Sequence, residues 1–146
     1  MQKIVLIGAG SQNFGLGLIS DIFKSDTLDG CEIFLHDIDK TTLVNTKNIA
    51  SDYKEKLGVN VDIKASISRK EALEGATFCI ISIEVGKRFD LWDQDWKIPL
   101  QYGIRQVYGE NGGPGGLFHS LRQIPPILDI CEDINSICPD AIVFNF

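Results

Sequence analysis

Long apolar runs and clustered positive charge are both scarce in this sequence. The longest apolar runs, residues 4–7 and 78–83, have the length of strands and fall well short of a bilayer crossing. Met1 leads directly into a strand pattern rather than a signal peptide. Lysine and arginine number 14 against 20 acidic residues, the net charge is −6, and the basic residues are scattered. We therefore expect a cytoplasmic protein that binds neither membranes nor nucleic acid.

Closely spaced metal-ligand pairs are also missing. The four cysteines, Cys31, Cys79, Cys131 and Cys138, do not form CxxC pairs, and three of them lie in apolar patterns. We expect reduced, structural thiols and no zinc site. Only two histidines occur. His36 lies inside an apolar strand pattern, which favours a buried, hydrogen-bonded role, whereas His119 follows a glycine cluster and is open to either a structural or a functional role.

Strand and helix patterns alternate along the chain. The apolar run at residues 3–8 ends in glycine, as a central strand buried on both faces does. Helical spacing follows, and the alternation predicts an α/β fold: a doubly wound parallel sheet of the Rossmann type, as in lactate and malate dehydrogenases. The 146 residues suffice for one sizeable core. The other predicted strands are residues 32–36, 59–65, 77–83 and 141–146, the last of these also buried.

The predicted helices follow from apolar spacing and capping residues. Asp39 and Gly58 are expected to cap the second helix. A short helix spans residues 68–73, and another begins near Phe89. The last helix carries Leu117, Leu121, Ile124, Leu128, Cys131 and Ile134 at helical spacing, and Pro125 and Pro126 are expected to kink or split it.

The first strand leads into a glycine turn that predicts dinucleotide binding. Gly8 permits the sharp turn, Gly10 lets the backbone approach a pyrophosphate, and the following helix presents free amide groups. Asn13 occupies the position of the usual third glycine. Asp37 ends the second strand, where a carboxylate binds ribose hydroxyls and repels a 2′-phosphate, so NAD is favoured over NADP. The alternative is that these glycines only shape a turn.

A second glycine cluster spans residues 109–116. Such a loop lets a sugar or nicotinamide approach the backbone, with Glu110 and Asn111 supplying polar contacts. The alternative is a solvated surface loop. Trp92 and Trp96 are spaced for stacking on a sugar, although a packing stripe is the commoner meaning of this spacing.

Four segments together resemble a known family: GAGSQNF, DWKIPLQYGI, GENGGPGGLFHSLRQIP and the terminal VFNF. They are similar to the NAD- and manganese-dependent family 4 glycoside hydrolases, on the α-glucosidase and α-galactosidase side. The resemblance implies that NAD transiently oxidises the sugar at C3, that a base then removes the acidified C2 proton, and that the aglycone is eliminated before water adds and the hydride returns. A divalent metal would polarise the sugar oxygens.

The resemblance also implies roles for individual residues. The family's metal ligands and tyrosine base match no position here, so we expect neither catalytic nor metal-binding residues on this chain. We also expect a truncated NAD-binding domain, residues 1–146, that lacks the catalytic and substrate domain and is inactive alone. From this sequence itself, rather than from the resemblance, Glu110 is expected to face the sugar. Cofactor binding is expected from Gly8, Gly10, Ser11, Gln12, Asn13, Phe14, Asp37, Ser82, Glu84 and Asn145.

Several points stay open at the level of sequence. His119 stands where the family commonly has arginine, so a phosphorylated sugar would meet a weaker anchor. A homo-oligomer is expected for the full-length enzyme. The alternative functions are a 2-hydroxy-acid dehydrogenase, which shares the first turn and Asp37, and a nucleotide sensor without chemistry.

Overall fold

The fold is described from a computed structural model, which covers residues 1–10, 14–107 and 112–146. The predictions for Ser11, Gln12, Asn13, Glu110 and Asn111 therefore lie outside the described residues, as does the side chain of Phe14. The chain divides into two compact units, residues 1–83 with 132–146 and residues 84–131.

The first unit holds a five-stranded parallel sheet in the order β3-β2-β1-β4-β5. All four pairings are parallel, and β1 is central, as its buried apolar sequence predicts. This sheet confirms the Rossmann-type α/β fold. The strands are β1 Lys3–Ile7, β2 Glu32–His36, β3 Asp62–Ser66, β4 Phe78–Ile81 and β5 Ile142–Asn145.

Helices connect the strands, in the order that the alternation predicts. The second helix begins after Asp39, whose side chain accepts hydrogen bonds from the Thr41 and Thr42 amides, and ends at Gly58, which has φ 67°. Both predicted caps are confirmed. The helices are α1 Phe14–Phe23, α2 Lys40–Leu57, α3 Arg69–Leu73, α4 Arg88–Gln101 and α5 Gly113–Ile137, with a short 3-10 turn at Asp26–Leu28.

The core of the first unit lies where the sheet meets α1 and α2. Ile33 and Leu35 of β2 are completely buried, and they pack in one cluster with Ile19 of α1 and Leu43 of α2. Burying each such side chain contributes about 1.5–3 kcal/mol, so this cluster holds the first strands and their turns in place.

The prediction of a buried last strand is wrong, and of the kink or split predicted for the last helix, the split does not occur. The strand β5 is exposed along its length rather than buried, because it is the edge of the sheet and pairs only with β4 among the described strands. The helix α5 runs through Pro125 and Pro126 without being split. Each proline removes one amide donor, so the carbonyls of Leu121 and Arg122 lose their usual helical partners, and the predicted kink stays a prediction.

The apolar stripe at helical spacing on α5 is only partly buried. Four of its residues are about half exposed or more: Leu117, Leu121, Ile124 and Leu128. Ile134 of the stripe is buried, together with Gly115, Gly116, Gln123 and Ile130.

Candidate functional site

The turn after β1 needs glycine at its first position for two separate reasons. Gly8 has φ 89°, a left-handed conformation that L side chains rarely adopt. A Cβ atom there would also collide with the carbonyl oxygen of Ser82. The Gly8 and Ala9 amides both donate to the carbonyl oxygen of His36, at 3.0 Å each. The turn is thus held against the ends of β2 and β4.

Gly10 and Asp37, both predicted cofactor residues, are in direct contact. The Gly10 amide donates to Asp37 Oδ2 at 2.8 Å, and the Asp39 amide donates to Asp37 Oδ1 at 2.9 Å. A Cβ at position 10 would lie 2.7 Å from Asp37 Oδ2 and 2.8 Å from Thr42 Cγ2. Close approach of the carboxylate is therefore a reason for glycine here that sequence analysis missed.

The first turn of α1 contains a further close contact. A Cβ on Gly15 would lie 2.6 Å from the Ala9 carbonyl oxygen. Sequence analysis placed the usual third glycine at position 13, where this chain has asparagine. Gly15 instead allows the helix to approach the turn closely, two residues further along.

The remaining predicted residues of the first unit lie after the ends of strands. The Ser82 amide donates to the Ile7 carbonyl at 2.9 Å, just past β4. Asn145 is the last residue of β5 and pairs with Ile81. Because all five strands are parallel, their carboxyl ends lie on one side of the sheet, which is where open α/β sheets bind ligands. Four of the predicted residues lie at these carboxyl ends: Gly8, Asp37, Ser82 and Asn145.

His36 has the structural role that its strand position predicts. It is 4% exposed, and Nδ1 lies 3.0 Å from the Ser66 carbonyl oxygen. Burial lowers the pKa of the imidazole, although the contact with Ser66 opposes this shift. A buried, neutral imidazole bonded to backbone fits support of the sheet rather than proton transfer.

The buried cysteines also behave as packing residues. Cys31, Cys79 and Cys138 are buried free thiols, and Cys131 is exposed. Burial raises the pKa of Cys79 to about 12, so the unreactive thiol form persists at neutral pH.

In the second unit, Glu84 belongs to a cluster of polar side chains. Its Oε1 accepts a hydrogen bond from Gln123 Nε2, and His119 Nδ1 lies 4.0 Å from the same oxygen. Arg88 Nε lies 3.7 Å from Oε2. The Val85 amide donates to Gln123 Oε1 at 3.3 Å, so one glutamine side chain holds two consecutive residues. The predicted approach of Glu84 to a cofactor stays a prediction.

A second polar group in this unit joins α4 to α5. The carboxylate of Asp95, which is 6% exposed, is bound by both terminal nitrogens of the Arg122 guanidinium. This bond raises the pKa of Arg122. A pocket of about 230 Å³ opens beside the pair, lined by Gln94, Asp95, Ile98, Pro99, Phe118 and Arg122. Sequence analysis missed the pair, although an aspartate between Trp92 and Pro99 in an apolar helix pattern was a signal for it.

Within the described ranges, no three histidine, cysteine or acidic side chains lie close enough together to hold a metal ion. The helices of that part of the chain also include none that is long and apolar enough to span a membrane.

Comparison with known sequences gives matches along nearly the whole chain. The family 4 glycosyl hydrolase profile matches residues 3–146. The alpha-glucosidase of Erwinia rhapontici is 61% identical over 144 residues, which are 99% of this chain and 32% of that protein. The alpha-galactosidase of Bacillus subtilis is 36% identical over 146 residues, 100% of this chain and 34% of that protein. The chain thus spans about a third of the length of these curated relatives.

Solved structures agree with the sequence matches. The lplD protein of Bacillus subtilis superposes with a TM-score of 0.87 and 29% identity, covering 100% of this chain and 32% of that one. The 6-phospho-beta glucosidase of Thermotoga maritima was solved with manganese, NAD+ and glucose-6-phosphate. It superposes with a TM-score of 0.78 and 25% identity, covering 100% of this chain and 34% of that one. Malate dehydrogenase of Plasmodium falciparum superposes with a TM-score of 0.64 and 16% identity, covering 99% of this chain and 36% of that one, and this likeness shows the fold alone.

Proposed function

Since the chain belongs to the family 4 glycosyl hydrolases, we propose that it is the NAD-binding part of an enzyme that hydrolyses α-glycosides. The proposed route is transient oxidation of the sugar at C3 followed by elimination of the aglycone, the NAD-dependent exception to two-carboxylate glycosidases. The 61% identity to a protein named alpha-glucosidase favours an α-glucoside as substrate.

The described residues fit a dinucleotide, and the contact between Gly10 and Asp37 is the observation that carries this proposal. It places a carboxylate beside a glycine turn at the carboxyl edge of a parallel sheet. When bound, NAD supplies the hydride acceptor. Asp37 would orient the adenosine ribose and repel a 2′-phosphate, and the backbone at Gly8 and Gly10 would leave room for the pyrophosphate.

Ser82 and Asn145 support the same placement, because both follow strand ends at that edge. Contacts from Ser11, Gln12, Asn13, Phe14 and Glu84 are proposed from the sequence resemblance. In each case the role is binding and orientation of the cofactor, and no proton transfer is assigned to this chain.

The metal is proposed to be manganese, held by residues outside this chain in the intact enzyme. The Thermotoga maritima relative was solved with manganese, and the sequence resemblance matches none of the family's metal ligands to a position on this chain. Because the relatives are about three times as long, the general base is also assigned to that additional sequence.

The sugar is proposed to be unphosphorylated. A phosphate group is best held by the fixed fork of arginine, and this chain has His119 where the family commonly has arginine. Glu110 and Asn111 are proposed to contact sugar hydroxyls. We also propose a cytoplasmic homo-oligomer: the buried free thiols suit a reducing compartment, and sedimentation of the intact enzyme tests the oligomer.

The central test is an assay of the intact enzyme with NAD and manganese(II). We expect release of nitrophenol from nitrophenyl α-glucoside, exchange of the C2 proton with deuterated solvent, and no net NADH. Nitrophenyl β-glucoside and glucoside 6-phosphate serve as matched substrates. No hydrolysis and no exchange on any sugar tested would refute the proposal.

The dehydrogenase alternative makes the opposite prediction. Lactate or malate with NAD would then produce NADH in proportion to substrate consumed. The structural likeness to malate dehydrogenase, at 16% identity, supports only a shared fold.

A further inference from the structure

Two exposed isoleucines of the first unit lie at the strand ends that carry the proposed ribose-binding carboxylate. Ile38 follows Asp37 directly and is 92% exposed, and Ile67, just past the end of β3, is 56% exposed. Single exposed apolar side chains are common on protein surfaces, so the position of this pair is what distinguishes it. Turns usually carry glycine, proline, asparagine, aspartate or serine. An isoleucine left in water there contributes little to the stability of the fold.

Both isoleucines occupy the middle of the same kind of turn. The Asp39 amide donates to Asp37 Oδ1 at 2.9 Å, and the Ser68 amide donates to Ser66 Oγ at 3.0 Å. In each turn, the residue after the isoleucine is thus bonded to the side chain of the residue before it. These bonds fix the backbone on both sides of each isoleucine, so little backbone freedom is left to lose when a ligand binds.

The two turns lie side by side at the carboxyl ends of β2 and β3. His36 and Ser66 are partners in the register of these strands, and His36 Nδ1 lies 3.0 Å from the Ser66 carbonyl oxygen. Neighbouring strands are about 5 Å apart. Ile38 and Ile67 therefore follow paired residues at the side of the sheet where open α/β sheets bind ligands.

An adenosine bound through its ribose brings its base to the same place. The proposed role of Asp37 is to accept hydrogen bonds from the ribose hydroxyls, and the adenine is attached to that same ribose ring. Because consecutive Cα atoms are about 3.8 Å apart, a base on this ribose is within reach of Ile38. Small-molecule sites combine a few polar groups that fix orientation with apolar side chains that cover the ligand.

We propose that Ile38 and Ile67 form the apolar surface on which the adenine base of NAD packs. The inference rests on the proposed function and names the part of the cofactor that these side chains bind. Both residues contribute affinity for the adenosine half of NAD and take no part in the reaction of the sugar.

The test is calorimetric titration of the intact enzyme with NAD. Ile38→Ala and Ile67→Ala are each expected to raise the Kd about fivefold, because each removes part of the apolar area that the base covers. Ile38→Val keeps most of this area and is expected to stay within about twofold of the wild type. Ile49→Ala is the matched control, since Ile49 is 51% exposed on α2 of the same unit, and its Kd is expected to be unchanged.

Two further measurements separate binding of the base from other effects. ADP-ribose keeps the adenosine and lacks the nicotinamide, so its Kd is expected to rise by the same factor as that of NAD in both alanine variants. At saturating NAD, kcat is expected to equal that of the wild type. Urea unfolding of Ile38→Ala without cofactor is expected to match the wild type, because the side chain is 92% exposed.

The outcomes distinguish this inference from the proposed function. If the wild type binds NAD and both alanine variants bind it equally tightly, the adenine surface is overturned while the proposed function stands. A weaker Kd for NAD with an unchanged Kd for ADP-ribose, or a loss of stability in Ile38→Ala, would also overturn it. A wild-type enzyme that binds no NAD would overturn the proposed function, and the inference with it.

Discussion

Replacing Asp37 by alanine tests the contact on which the cofactor proposal depends. The change removes the acceptor for the Gly10 amide at 2.8 Å and for the Asp39 amide at 2.9 Å. Each bond contributes about 0.5–1.5 kcal/mol, and water partly replaces the exposed one, so the free energy of unfolding should fall by about 1–2 kcal/mol. Separately, loss of the two hydrogen bonds to ribose hydroxyls would make the free energy of NAD binding less favourable by about 2–4 kcal/mol, which raises the Kd by about 30- to 1000-fold.

The measurement is calorimetric titration of the intact protein with NAD, combined with urea unfolding without cofactor. Asp39→Asn is the matched control, because it removes the same charge two residues away and keeps an oxygen that can accept from Thr41 and Thr42. Its Kd is expected to stay within about threefold of the wild type. If Asp37→Ala binds NAD as tightly as this control, Asp37 does not bind the ribose and the reasoning fails.

Three further predictions concern stability. Asp95→Ala leaves Arg122 without its buried partner and should lower the free energy of unfolding by about 3 kcal/mol in urea titrations. The control Asp93→Ala removes a partner from the exposed pair with Lys97 and should change the free energy of unfolding by less than about 1 kcal/mol. Equal effects of the two variants would contradict the role of burial. Leu73→Ala, at a fully buried position, should cost about 2–5 kcal/mol by the same measurement, and a loss below about 1 kcal/mol would show that the site is loosely packed. Because burial lowers the pKa of His36, the unfolded chain takes up a proton below about pH 6.5 that the folded chain does not, so the Tm should fall as the pH is lowered from about 7 to 5. His36→Gln should reduce this dependence of Tm on pH. An equal dependence in the variant and the wild type would refute the role of His36.

The parts of the fold that depend on nearby residues were predicted well. The strand β2 has the predicted bounds, and Asp39 and Gly58 cap α2 as expected, because capping depends on a few consecutive residues. The buried role of His36 was likewise readable from its apolar strand. The two motifs that hold Gly10 and Asp37 were expected at the same carboxyl end of the parallel sheet, but the hydrogen bond between these two residues was not predicted.

The parts that depend on distant residues were not predicted. Neither the bond from Gln106 to Gly115 nor the ion pair between Asp95 and Arg122 has a local pattern, since partners on two helices are set by how those helices pack. Burial of β5 was predicted from its apolar sequence alone, but burial also depends on having neighbours on both sides. The exposed apolar stripe of α5 has the same cause: spacing identifies a face of a helix and does not say what covers it.

The bond between the Gly10 amide and Asp37 has a consequence for the energetics of ligand capture. The carboxylate is already oriented by two backbone amides while each of its oxygens keeps a further lone pair for an incoming hydroxyl. Little side-chain entropy is then left to lose when an adenosine moiety arrives, so a larger share of the interaction energy appears as affinity.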